Sequence, residues 1–256
     1  SPSLPVGISF DSSTGSITGT PTVVQSIVNY TIWGNNTGGS HSIFMNITIY
    51  DPAVTLEYNP ENFTLTRTQP MVNQNPIFTG IVDNWTILPA LPSGLIFTDG
   101  VISGTPTVNM TTTMYTIWAN NTGGPSSHTI NITILEPIVV LDYNPENLTL
   151  TRNQSMSTLN PILSGGYPLS WEIHPALPSG LVMTNGVISG TPSVNMTTTM
   201  YTIWANNSGG NTFTTINITI LEPIVDLSYN PENITLIRNQ SMSQVYPIVA
   251  GGNPSS

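Results

Sequence analysis

The sequence predicts an all-β chain of tandem β-sandwich repeats, each about 85 residues long and arranged end to end. Three observations predict it. The stretch Ser93–Asn121 returns at Ser179–Asn207 with 25 of its 29 positions unchanged, and a looser copy runs from Val6 to Asn36. Self-similarity at a fixed period marks a repeat architecture. Apolar and polar residues alternate at period two, without an amphipathic helical pattern. Clusters of Gly, Pro, Asn and Asp bound each alternating run, as short strands require.

The repeat boundaries fall at acid-proline pairs, Asp51-Pro52, Glu136-Pro137 and Glu222-Pro223. Proline holds the residue before it extended, so these junctions carry little slack. They divide the chain into the C-terminal part of a repeat (1–50), two complete repeats (51–135 and 136–221) and the N-terminal strands of a further repeat (222–256).

Within the first complete repeat, Val54–Tyr58 reads as a strand. The Asn-Pro-Glu turn at 59–61 leads into a second at Asn62–Arg67, with Phe63 and Leu65 on one face and Asn62, Thr64 and Thr66 on the other. A proline-rich crossing precedes a third strand at Trp85–Leu88. Leu95–Phe97 and Val101–Ser103 form a hairpin about Asp99-Gly100, a favoured two-residue turn. Met114–Asn120 and His128–Leu135 close the repeat as a long hairpin across Asn121–Pro125. Six or seven short strands in this length are the signature of an immunoglobulin-like sandwich. In such a sandwich Ile130, Ile132 and Ile134 belong to the core, and so do Tyr115, Ile117 and Ala119. Trp85 and Trp171, on the third strand, also point inward.

The segment LPSGLIFTDGVISGTPT (91–107), with the later strand INITI (130–134), resembles the immunoglobulin-like (cadherin-like) repeats of bacterial and archaeal surface proteins. LPVGISFDSSTGSITGTPT (4–22) is closer still to that pattern. The resemblance covers each repeat from its proline-rich crossing to its last strand and implies a sandwich in an extracellular or cell-surface chain. Modules of this kind serve mostly as spacers, stalks and adhesive elements, so no reaction is implied. Over Val54–Gly80 the reading rests on periodicity alone.

Composition narrows the function. Cysteine and lysine are absent, and Arg67, Arg152 and Arg238 are the only Lys or Arg residues. Disulfides and thiolate chemistry are therefore excluded. Only 6% of residues are charged, against about 25% in an ordinary soluble domain. A net charge of −10 without basic clusters argues against nucleic acid or anionic membranes as partners. No apolar run is long enough to span a bilayer, and no signal peptide lies within these residues.

Sequons supply what the missing charge does not. Fifteen of the 27 asparagines precede x-Ser/Thr with x not proline, roughly twice the chance rate. They are Asn29, Asn35, Asn46, Asn62, Asn84, Asn109, Asn120, Asn131, Asn147, Asn153, Asn195, Asn206, Asn217, Asn233 and Asn239. Many recur at repeat-equivalent positions, and strand parity turns Asn62, Asn131, Asn147 and Asn233 away from the core. The expectation is a secreted glycoprotein hydrated by covalent N-glycans and needing no other cofactor.

Trp33, Trp118 and Trp204 recur at the repeat period, outside the core, two residues before Asn35, Asn120 and Asn206. They suit packing of the chain's own glycans, an inter-domain or inter-chain contact, or a foreign carbohydrate. Acids near the joints (Asp51 and Glu57, Glu136 and Asp142, Glu222 and Asp226) form no calcium-loop run, and the third copy has Ser228 where the others have an acid, so no metal is expected. The recurring Glu61/Arg67, Glu146/Arg152 and Glu232/Arg238 are expected as surface ion pairs. His41, His128 and His174 occupy non-equivalent positions, so no repeated catalytic group emerges and an enzyme is not expected.

The leading expectation is a structural extracellular filament or surface stalk, heavily N-glycosylated and built by head-to-tail stacking of repeats. The alternative is an adhesin that binds carbohydrate or another cell surface through aromatics and loops. Ser1–Pro5 matches His174–Pro178, and 251–256 matches 165–170, which leaves two expectations open: residues 222–256 of one copy complete residues 1–50 of the next, or the repeats continue along one longer polypeptide.

Overall fold

The computed structural model describes residues 1–252, and there the alternating runs of the sequence form 22 strands. No helix occurs among the described residues, and none is long and apolar enough to cross a membrane. The chain divides between Leu135 and Glu136 into two units, each taken by itself below.

The first unit opens with a partial repeat. Strands β1 (Ile8–Phe10) and β2 (Ile17–Gly19) pair as a hairpin, and β3 (Gln25–Asn36) pairs antiparallel with β4 (Gly39–Ile49). Tyr30 is buried, but Ile43 and Phe44 are 55% and 73% exposed because β3 and β4 form a sheet of only two strands.

The complete repeat follows as β5 (Thr55–Glu57), β6 (Asn62–Thr66), β7 (Ile77–Thr79), β8 (Asn84–Leu88), β9 (Leu95–Thr98), β10 (Val101–Gly104), β11 (Met110–Asn121) and β12 (Gly124–Leu135). One layer has the order β6-β12-β11-β8, with β6 parallel to β12 and the other pairs antiparallel. The pairs β5–β7 and β9–β10 form the remaining sheets, and Gln74 bridges to Ile102 on β10.

Period-two alternation puts Tyr115, Ile117 and Ala119 on the same face as Ile130, Ile132 and Ile134, and all six are at most 1% exposed. Phe63, Leu95, Ile102 and Tyr58 complete the core, with Trp85 packed at its margin against Phe78 and Phe97. Each fully buried isoleucine contributes roughly 1.5–3 kcal/mol of transfer free energy.

Two glycines shape the β9–β10 hairpin, Gly100 at its turn and Gly94 at its open end. Asp99 and Gly100 have φ of 50° and 80°, the pair of positive values that a type I′ turn needs. Gly94 has φ +92°, and a Cβ there would lie 2.0 Å from the carbonyl oxygen of Thr105. That close approach gives the Gly-Thr-Pro corner its shape.

The second unit repeats this plan as β13 (Val139–Tyr143), β14 (Asn147–Thr151), β15 (Pro161–Gly165), β16 (Ser170–His174), β17 (Leu181–Thr184), β18 (Val187–Gly190), β19 (Met196–Asn207) and β20 (Gly210–Leu221). Its four-stranded layer has the order β14-β20-β19-β16, and Ile203, Ile216 and Ile218 are fully buried. Beyond it, β21 (Val225–Tyr229) pairs with β22 (Pro247–Gly251), as β13 pairs with β15. The expected match of residues 253–256 to 167–170 lies outside the described residues.

Several expectations need correction. The closing hairpin is longer than its alternation suggested, because Met110 and Gly124 already belong to strands and only Thr122-Gly123 turn. The proline-rich crossing holds a strand, β7, too short for periodicity to reveal. Arg152 pairs with Glu222 at 2.7 Å instead of Glu146, because the parallel β14–β20 pairing brings Thr151 level with Leu221. Glu61 lies 3.5 Å from His128.

Candidate glycan-acceptor face

The outward face of each four-stranded layer gathers the sequons. Because β6 and β12 run parallel in register, Asn62 faces Asn131, and the Asn131 side-chain nitrogen donates to the Asn62 side-chain oxygen at 2.9 Å. The second unit repeats the link from Asn217 to Asn147 at 2.9 Å. At the other end of the same face, Asn84 on β8 is in register with Asn120 on β11. In the partial repeat Asn29 faces Asn46, and Asn35 faces Ser40.

Asn109 and Asn195 stand just before β11 and β19 and are exposed. Asn153 and Asn239 sit in left-handed turns with φ of 60° and 65°, where asparagine is better tolerated than most residues. Asn233 is exposed within 222–252. Outward parity is not full exposure, however. Asn120, Asn131, Asn206 and Asn217 are half-buried, because flanking strands crowd them on both sides.

The sequon hydroxyls are used too. Thr133 and Thr219 share hydrogen bonds of 2.8 Å with Thr112 and Thr198 across the strands. Thr122 accepts a hydrogen bond from the Asp51 backbone nitrogen at 2.8 Å and donates to its carboxylate at 2.9 Å. Ser208 accepts from the Glu136 nitrogen at 2.9 Å. Beside them, Asn121 donates to the carbonyl of Pro52 and Asn207 to that of Pro137, both at 2.8 Å. The hairpin tip thus holds the acid-proline entrance of its own repeat. Spacing along the chain could not have shown these tip links, since each joins residues 69 to 72 positions apart.

The three tryptophans share the outward face but differ in surroundings. Trp33 is 60% exposed opposite Ser42, while Trp118 is half-buried between Thr86 and Ser127. Trp204 lies opposite Glu172 and beside the exposed Phe213, ring centroids 6.5 Å apart.

Among the described residues no three His, Asp or Glu side chains converge to hold a metal. Asp11 shows the strongest carboxylate effect: hydrogen bonds from the Ser13 and Thr14 side chains and the Ser13 backbone bring it down to about 2. These bonds order the β1–β2 turn. Burial pushes the Tyr58 and Tyr143 phenols well above their ordinary range.

A family described as "Putative Ig domain" matches residues 1–50 and 137–221. No curated protein matches the chain. Among solved structures, the extracellular domains 3–5 of Drosophila OTK are similar at 12% identity, with 84% of this chain and 78% of that chain covered and a TM-score of 0.41. The insect immune protein hemolin is similar at 13% identity, with 84% and 61% covered and a TM-score of 0.41. The four N-terminal Ig domains of a Dscam1 isoform are similar at 11% identity, with 67% and 46% covered and a TM-score of 0.43. The chain therefore spans less than two thirds of the last two.

Proposed function

We infer the function from one premise: this chain belongs to the family described as "Putative Ig domain". We propose that it is a structural, heavily N-glycosylated extracellular protein, a filament or surface stalk whose immunoglobulin-like repeats stack head to tail.

One observation supports head-to-tail stacking above others. In the complete repeats β6 and β14 lie parallel beside β12 and β20. Among the described residues β4 has no such neighbour, and the counterpart segment 233–237 forms no ladder. Its Ile234 is 47% exposed, whereas the counterparts Phe63 and Leu148 are buried, and its Leu236 is 61% exposed, whereas Leu65 and Leu150 are half-buried. An unpaired edge and an unpaired strand of matching pattern suit strand addition. The proposed contact places residues 233–237 of one copy parallel to β4 of another, with Asn233 beside Asn46.

The test is a disulfide cross-link. The double substitution Asn46→Cys and Asn233→Cys, oxidised in assembled material, is expected to give a denaturing-gel ladder in multiples of the single-chain mass. The pair Asn62→Cys and Asn131→Cys serves as the intramolecular control. Cross-linking of the control without any ladder from the first pair sinks head-to-tail strand addition.

The second reading is an adhesin, favoured by the pair Trp204–Phe213, which places an exposed aromatic edge opposite Glu172. Aromatic faces stack on sugar rings and carboxylates accept their hydroxyls. Carbohydrate binding that disappears in Trp204→Ala would favour this reading over a purely structural one.

A further inference from the structure

We propose that the complete repeats use their sequons in two ways. Asn62, Asn84, Asn109, Asn147, Asn153 and Asn195 carry glycans, while Asn120, Asn131, Asn206 and Asn217 stay bare and serve as structural residues. This rests on the glycoprotein reading and adds to it a selection made by the fold.

An N-glycan forms when the side-chain nitrogen of asparagine bonds to the anomeric carbon of an activated sugar phosphate. The carbon–oxygen bond to phosphate breaks, the phosphate leaves with the electron pair, and one amide proton passes to a base. The acceptor motif also demands a hydroxyl two residues on. A sequon therefore needs an accessible nitrogen and a free hydroxyl, and the fold provides both at some sites and not at others.

At Asn131 both groups are engaged. Its nitrogen donates to Asn62, and the hydroxyl of its motif, on Thr133, is bonded to Thr112. Asn217 repeats both engagements, to Asn147 and through Thr219 to Thr198. At Asn120 and Asn206 the asparagines are half-buried, and the Asn206 side-chain oxygen is enclosed without a partner. Their motif hydroxyls, on Thr122 and Ser208, hold the entrance residues Asp51 and Glu136. Two features, burial of the asparagine and use of the hydroxyl, coincide at all four positions.

The other six differ on both counts. Asn62, Asn84, Asn109, Asn147, Asn153 and Asn195 are exposed, and so are Thr64, Thr86, Thr111, Thr149, Ser155 and Thr197 of their motifs. The cross-strand link uses the oxygen of Asn62 or Asn147, leaving the nitrogen, the atom that takes the sugar. Asn131 and Asn217 thus act as positioning residues that orient the neighbouring acceptor carboxamide.

The experiment is site-resolved glycopeptide mass spectrometry on the secreted protein, with the variants Thr64→Val and Thr133→Val alongside. Valine keeps the β-branched shape, so both variants are expected to fold. Thr64→Val should lose one glycan mass and keep the wild-type melting temperature. Thr133→Val should keep every glycan and melt several degrees lower, because it breaks the link to Thr112. Glycans on Asn131 and Asn217 as often as on Asn62 and Asn147 overturn the selection while leaving the glycoprotein reading intact. A chain bare at all fifteen sequons overturns both.

Discussion

Tyr58 donates its phenolic hydrogen bond to the carbonyl of Gly100, and 85 residues later Tyr143 does the same to Gly186. Each tyrosine is 1% exposed and joins the first strands of its repeat to the turn of the β9–β10 or β17–β18 hairpin. The bond crosses more than forty residues of chain, so it forms only when the repeat has folded as a whole.

Replacing Tyr58 by Phe should cost about 1–2 kcal/mol, because the buried Gly100 carbonyl is left without its donor. The same group sets an alkaline limit. Burial raises the folded phenol above the ordinary value near 10, so its contribution is complete below that pH and is lost as pH rises past it. Thermal melts from pH 8 to 12 should therefore show stability falling above about pH 10. In the double variant Tyr58→Phe and Tyr143→Phe that fall should be shallower, and an unchanged slope would assign it to other groups.

Core truncation on the four-stranded layer gives a second expected outcome. Ile132 is fully buried between strands that contact it on both sides, which limits collapse around a cavity. Ile132→Ala should cost about 2–5 kcal/mol in denaturant unfolding. Gly94→Ala should be as damaging for a different reason, since its Cβ meets a backbone oxygen that cannot yield. Circular dichroism showing a native Gly94→Ala repeat would contradict the corner geometry.

Much of this was legible in the sequence because two periods were present at once. The 85–86-residue period located the repeats, and period two put Ile130, Ile132 and Ile134 inside and Trp118 outside. What stayed hidden is tertiary. Nothing in the alternation of Asn62–Arg67 says that β6 joins β12 in parallel, so neither the Asn131–Asn62 link nor the Arg152–Glu222 pair could be read. Parity also says which side a residue faces but not how far its neighbours cover it. That is why Asn131 and Asn62, alike in the sequence, differ in exposure.

The hairpin tip offers a third outcome. Thr122 makes two hydrogen bonds to Asp51 and Asn121 a third to Pro52. Thr122→Val removes the first two and should free the acid-proline entrance without unfolding the repeat, because the tip lies outside the core. Limited proteolysis should then cut near residues 50–53 several-fold faster than in wild type. Equal cutting rates would show that the Asn121–Pro52 bond and proline stiffness hold the entrance without Thr122.

The last expectation concerns solubility. Only 6% of residues are charged, and the described surface includes Phe44 at 73%, Val72 at 82% and Phe213 at 64% exposure. With so few charges, the proposed glycans would hydrate that surface, and the exposed Asn46 and Asn147 lie on the same sheet faces as Phe44 and Phe213. Enzymatic removal of the glycans should therefore cause association of the folded chain, visible as growing particle size in dynamic light scattering. The residual charge of −10 opposes that association, and salt screens it, with a Debye length of about 8 Å at physiological ionic strength. Aggregation should accordingly be slow at low salt and faster at 0.15 M and above. The stripped protein staying monodisperse across that range, with circular dichroism unchanged, would remove hydration by glycans as the explanation for the missing charges.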